Sequence, residues 1–380
     1  MIRFHGVRVL GATGLSVPCS IEVPTEGADL ERDGTGMILS PGWIDLHAHL
    51  RDPGYPASET LASGTASAAA GGFTQVVAMA NTNPVADQPA RVSSLLERAA
   101  SMPVRVSAVG ALTAGLEGRV LTDARGLQRA GAIALSDDGR HAMDGPTLTR
   151  GLALAASAGL PVLVHGQKES HGKDASAEAA GVEEALAALQ DAPQGHLHLQ
   201  HLTTRRAVDL VRAAKGAGLP VTAEVTPHHL VLTAGDVAGG DANVSPPLRT
   251  ADDRDALVEA LIDGVIDVVA TDHAPHAAAA KAAGANGYHG FETATGVIFS
   301  LRLPWAVLHR AVVARGREIL RLPESDDWIL IDPAEDWVVD PAGFQSRGRN
   351  SPFAGRRLRG RVTMTVCKGR IVHQRAVAVG

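Results

Sequence analysis

Asp45-Leu46-His47-Ala48-His49-Leu50-Arg51-Asp52-Pro53 is the stretch from which the fold of this chain is read. It follows the apolar run Met37-Ile38-Leu39 and a Pro41-Gly42 turn, with Trp43-Ile44 leading in. Side chains alternate along a strand, so histidines at i and i+2 share a face and, at a strand end, can reach one ion. Arg51 follows two residues later with the fixed charge that grips a carboxylate. Alone, a His-x-His is more commonly a strand with two hydrogen-bonded histidines. The residues downstream decide between the two readings.

From residue 42 to about 320, short β-rich runs alternate with Ala/Leu-rich helical patterns. After Gly42–His49 the strand candidates are Thr74–Met79, Val104–Val109, Ala132–Leu135, Pro161–His165, Leu197–His201, Val221–Val225 and Ile266–Thr271. Helical patterns lie between them at Ser58–Ala70, Arg91–Ala100, Pro146–Ala158, Val182–Leu189, Arg205–Ala217 and Asp252–Leu261. Strands alternating with helices indicate a parallel sheet in an α/β protein. Eight such units fit a (β/α)8, TIM-like barrel over 42–324 better than an open sheet, and no Gly-x-Gly-x-x-Gly follows the first strand. Residues 1–41 and 325–380 carry short β patterns and are expected to pair into one small β-sandwich domain. His171–Ala180 and Ala277–Gly290 read as glycine- and alanine-rich loops.

Composition limits the partners. The chain is 45% apolar and 20% charged, ordinary for a soluble globular protein. A net charge of −6 argues against nucleic acid or an anionic membrane as the main partner. Cys19 and Cys367 stand at opposite ends and make no disulfide framework. There is no apolar stretch of membrane-spanning length and no signal-peptide core after Met1, so the expected location is cytoplasmic.

In a (β/α)8 barrel the active site forms at the C-terminal ends of the strands. Strand one ends in His47 and His49, and strand four in Ser136-Asp137-Asp138-Gly139. Strand five ends in His165, strand six in His198-Leu-Gln-His201, and strand eight in Thr271-Asp272-His273-Ala-Pro-His276. An Asp-Asp-Gly is usually a turn, and a histidine closing an apolar strand is usually a core residue. So many together at one rim fit a metal site better. Histidines and aspartates without cysteine suit zinc or a similar divalent ion. Six ligands exceed one tetrahedral site and suit two ions roughly 3.5–4 Å apart.

With these residues placed, the chain resembles the amidohydrolase superfamily and, within it, dihydroorotases of the long bacterial type. The matching strings are PGWIDLHAHLRDPG, ETLASGTASAAAGGFTQVVAMANTNPV, SDDG, VTAEVTPHHL, PPLRTADDRDAL, VATDHAPH and GFETA, with WVVDPAGFQSRGRNSPFAGRRLRGRV near the C-terminus. The resemblance implies two zinc ions per subunit. His47, His49 and Asp272 would hold one, His165 and His201 the other, and Asp138 would bridge them. Many relatives bridge with a carboxylated lysine, but this chain has no lysine before Lys168, so Asp138 takes that place. The implied reaction is the reversible cyclisation of N-carbamoyl-L-aspartate to L-dihydroorotate in pyrimidine (UMP) biosynthesis. Asp272 would shuttle the proton, and Arg51, Asn81, His276 and Ser245 would contact the substrate. Asp137 is expected to be a structural neighbour.

The chain also departs from its relatives. Gly166-Gln167 follows His165 where Cys-Glu is usual, and Ser245 stands where the family commonly has asparagine before Pro-Pro-Leu-Arg249. Two rival readings remain: another cyclic amidase of the hydantoinase or allantoinase kind, and a non-catalytic barrel that partners aspartate carbamoyltransferase. Inactive relatives tend to lose metal ligands, and this chain keeps all six positions. A catalytic subunit that also binds the transferase stays open, and barrels of this type are often homodimers.

Overall fold

The computed structural model describes residues 1–27, 29–139, 143–168, 171–238 and 243–375. Eight parallel strands follow one another in sequence order: Trp43–Ala48, Phe73–Ala78, Arg105–Gly110, Ala132–Ser136, Val162–His165, Leu197–Gln200, Val221–Val225 and Val268–Val269. A parallel bridge between Ala48 and His273, with His49 N–H donating to the His273 carbonyl at 2.8 Å, brings strand eight back to strand one. The result is the expected (β/α)8 barrel. Strand one is buried along its whole length, as a parallel strand covered on both faces must be.

Helices start where the sequence supplies caps. Thr60, Asp144, Asp174, Thr204 and Thr250 each accept a hydrogen bond from a backbone N–H of the first turn. Each such cap is worth about 1 kcal/mol. Asp174 explains one correction. The expected loop His171–Ala180 gives way at Ala175 to a helix running to Asp191, because the capped run Ala-Ser-Ala-Glu-Ala-Ala is strongly helix-forming. Likewise Ala277–Gly290 is not an open loop: it contains a helix at Ala278–Ala282, and Lys281 Nζ donates to the carbonyls of Asn243, Ala285 and Gly287.

Two apolar layers flank the strands. Trp43, Val76, Leu135, Val162 and Leu199 face outward to the helices. Ile44, Leu46, Val77, Val109, Ala134, Leu163 and Val268 fill the barrel interior, where Ile319 and Leu320 pack on them. The register of strand one against strand two shifts between Asp45 and Ala48. That bulge lets Leu46 and His47 both face inward, which strict alternation forbids.

Both chain ends build the second sheet. Trp328–Val338 lies between Ile38–Pro41 and Arg357–Cys367, and Ile2–Gly11 pairs with Ile38–Pro41, Cys19–Val23 and Leu30–Asp33. Ile2, Phe4, Val23, Leu330, Met364 and Val366 fill its apolar interior. The end of the 325–380 segment, from 376, lies outside the described residues. Among the described residues no helix is long and apolar enough to cross a membrane.

Candidate active site at the C-terminal rim of the barrel

His47, His49, Asp138, His165, His201 and Asp272 converge at this rim and are all buried. Asp138 stands between two groups. Its Oδ2 lies 3.3 Å from Nε2 of His47 and 3.3 Å from Nε2 of His49. Its Oδ1 lies 3.7 Å from Nδ1 of His165 and 3.6 Å from Nε2 of His201. Asp272 Oδ1 joins the first group, 3.5 Å from His47 and 3.1 Å from His49. Each carboxylate oxygen of Asp138 thus faces its own pair of imidazoles.

The ring tautomers test whether a cation fits. His47 Nδ1 lies 2.7 Å from Glu224 Oε1, which can only accept, so the proton sits on Nδ1. His49 Nδ1 donates in the same way to Asn81 Oδ1 at 2.9 Å. Both Nε2 atoms then point at carboxylate oxygens 3.1–3.5 Å away. These buried contacts need positive charge at Nε2, from a bound cation or from a second proton on the ring. Among the described residues, His47 Nε2 and His201 Nδ1 have no hydrogen-bond partner. The donor set is therefore that of a metal site, and the ligand atoms of His47, His49 and Asp272, and of His47, Asp138 and His201, lie within 4.8 Å of one another.

Electrostatics agree. Burial pushes the Asp138 carboxyl up, but the charge of His47 and the hydrogen bonds of His165 and His201 outweigh it and hold it well below the usual range. Asp272 is likewise held low against burial by His47 and His49. Burial and the neighbouring His165 lower His201, which favours the neutral, ligating form. Arg51, His201 and Asp272 all have left-handed backbones, with φ of 57°, 33° and 46°. Such strain costs of order 1–3 kcal/mol per residue and clusters at functional sites.

A cavity of about 620 Å³ opens above the cluster. Every expected site residue lines it except His47, which is fully buried beneath: His49, Arg51, Asn81, Asp138, His165, His201, Ser245, Asp272 and His276. Arg51 Nε donates to the Pro275 carbonyl at 3.3 Å, which turns the guanidinium along the cavity wall. His276 Nε2 donates to the Asn286 carbonyl at 2.7 Å, and burial with the charge of Arg51 lowers its pKa to about 4, so it is neutral at pH 7. Asn243 does not line the cavity, so it does not replace the family asparagine there; its backbone carbonyl accepts from Lys281 Nζ and Gly287 N–H. Asp137 faces away and accepts from Thr113 N–H at 2.9 Å.

Sequence reasoning missed Lys173 and Asn286 in the cavity wall and assigned no role to Glu224. The signal for Glu224 was present. In Val221-Thr-Ala-Glu-Val225 the alternation puts Thr222 and Glu224 on the face opposite the valines, which is the barrel interior.

The barrel and the site at its rim define an amidohydrolase of the (β/α)8 class. Residues 36–177 match the family model for dihydro-orotase-like domains. A dihydroorotase of Anaeromyxobacter dehalogenans (strain 2CP-C) is 42% identical over 384 residues, covering 91% of this chain and 88% of its own. One from Thermus aquaticus is 40% identical over 98% of this chain and 99% of its own. The chain belongs to the dihydroorotase family. In fold it is also similar to the L-hydantoinase of Arthrobacter aurescens, with a TM-score of 0.86 at 22% identity over all of this chain and 97% of that one.

Proposed function

We propose that this chain is a zinc-dependent dihydroorotase that interconverts N-carbamoyl-L-aspartate and L-dihydroorotate in pyrimidine biosynthesis. The observation that carries the reading is the division of Asp138, with one oxygen toward His47 and His49 and the other toward His165 and His201. Two zinc ions would be held there, Asp272 joining the first set and Asp138 bridging both. Zinc supplies Lewis acidity: it polarises the scissile carbonyl and makes hydroxide available near neutral pH.

The chain's own residues do the rest. Asp272 is ionised, so it can accept the proton of the attacking water. It then passes that proton to the departing ring nitrogen as the C–N bond breaks. In the reverse direction the same carboxylate takes a proton from the carbamoyl N–H as the ring closes. Arg51 and Asn81 hold the substrate carboxylate on the cavity wall, His276 joins them by turning its Nε2–H from the Asn286 carbonyl to the substrate, and the shorter Ser245 contributes one hydroxyl. Residues 42–324 would be the catalytic unit, with 1–41 and 325–380 as its β-domain. The pathway places the protein in the cytoplasm, where its free Cys19 and Cys367 stay reduced.

The hydantoinase alternative draws on the shared fold. Against it stand the absence of any lysine before Lys168 and the cation at Arg51, which a neutral ring does not call for. A substrate panel separates them. The expected result is turnover of dihydroorotate far above that of hydantoin, dihydrouracil and allantoin; preference for a neutral ring would overturn the assignment.

A further inference from the structure

Strands six and seven differ from the other six on the inside of the barrel. The interior apolar cluster takes residues such as Ile44, Val77, Val109, Ala134, Leu163 and Val268, and nothing from Leu197–Gln200 or Val221–Val225. Buried polar side chains stand there instead: His198 and Gln200 on strand six, Thr222 and Glu224 on strand seven. Apolar side chains fill the same layer elsewhere, so packing alone does not require polarity here.

These groups form a chain that ends on the metal site. Thr222 Oγ1 lies 2.9 Å from His198 Nδ1, and His198 Nε2 lies 3.1 Å from Glu224 Oε2. Glu224 Oε1 accepts from His47 Nδ1 at 2.7 Å and from the His201 backbone N–H at 3.3 Å. Gln200 Nε2 is also near His47 Nδ1, at 3.2 Å, but an amide NH2 cannot accept, so Glu224 alone fixes the proton.

We infer that Glu224 is a positioning residue for both halves of the metal centre. One carboxylate sets the ring tautomer of His47 on strand one and anchors the backbone of His201 after strand six. It turns the His47 Nε2 lone pair toward Asp138 and Asp272. It also tethers His201, whose φ of 33° is unfavourable for a side-chain-bearing residue. His198 holds the second oxygen, and Thr222 orients His198. Glu224 thereby joins His47 on strand one to the backbone that follows strand six.

The inference rests on the two-zinc reading, so wild type is measured beside Glu224→Gln and Thr222→Val. Zinc affinity is read by chelator competition, and the histidine ring N–H signals of the loaded proteins by NMR. In Glu224→Gln the amide can turn its NH2 toward His47 or toward His198, and either loses an acceptor. Zinc should bind about 10–100-fold more weakly, and the slowly exchanging ring N–H of His47 or of His198, whichever faces the NH2, should be lost. Thr222→Val keeps the volume and leaves Glu224 in place; it should weaken zinc by about 2–10-fold. If Glu224→Gln does not fold, Thr222→Val carries the test, and unchanged affinity with unchanged ring signals there overturns the inference. A Glu224→Gln protein that loads zinc as tightly as wild type overturns it directly. A wild type that takes up no zinc overturns the metal reading and this inference together.

Discussion

Nδ1 of His49 lies 2.9 Å from Oδ1 of Asn81, so one asparagine touches both the ligand set and the cavity. Its amide oxygen fixes the His49 tautomer, and on the proposed reading its amide nitrogen would donate to bound substrate.

The two roles separate by mutation. Asn81→Ala should weaken zinc about tenfold and raise KM for dihydroorotate about tenfold or more. Asn81→Asp keeps the acceptor for His49 and should retain zinc, yet raise KM because its charge repels the substrate carboxylate. Metal analysis with steady-state kinetics checks both; an Asn81→Asp protein as zinc-poor as Asn81→Ala contradicts the hydrogen-bond role.

Arg51 lines the same wall, fastened by its own bond to the Pro275 carbonyl. A hydrogen bond to a charged group is worth about 1.5–3 kcal/mol, so Arg51→Ala should lower kcat/KM for dihydroorotate by roughly 10–150-fold. Zinc content should not change. Arg51→Lys should recover only part, since lysine lacks the planar fork. Equal kinetics for Arg51→Ala and wild type would remove Arg51 from the substrate site.

Glu59 is fully buried between strand ends and the C-terminal segment. It meets His273 Nε2 at 3.2 Å, accepts from Arg347 N–H at 3.2 Å and accepts from the Ser346 hydroxyl. Glu59→Ala leaves the His273 ring N–H and the Ser346 hydroxyl buried without this acceptor and should cost about 1–3 kcal/mol for each. Chemical denaturation of the zinc-free protein reads this cost apart from metal binding, and a change below about 1 kcal/mol, the scale of an exposed pair, would contradict it.

Cys367 is buried, with Sγ 3.5 Å from the Thr74 carbonyl, and burial pushes its thiol up to about 12 from 9.0. The folded state therefore holds this proton more tightly than the unfolded one. Its contribution is present below pH 9 and is lost as pH rises toward about 12. At pH 8 a thiol reagent should label half-buried Cys19 alone in native protein, and both cysteines after unfolding. Fast labelling of native Cys367 would contradict its placement.

The barrel was legible because parallel strands buried on both faces read as short apolar runs between amphipathic helices. Its ligands were legible because they end those runs. Strict alternation failed at Leu46, where a bulge places two consecutive residues inside. The helix from Ala175 was hidden by a composition that also suits a loop, until Asp174 is recognised as its cap. Helix Phe291–Ser300 was missed because it is buried on most sides, threonines included, and so shows little amphipathic period. Glu224 was visible as a lone carboxylate on an interior face, but its partners His47 and His198 lie 177 and 26 residues away, and only folding brings them together.

The most direct test of the account is to titrate metal-stripped protein with zinc while following dihydroorotate ring opening. Activity should be absent at the start and rise to a plateau at two equivalents of zinc per chain. Full turnover before zinc is added, or none at any ratio, would contradict the two-zinc dihydroorotase reading.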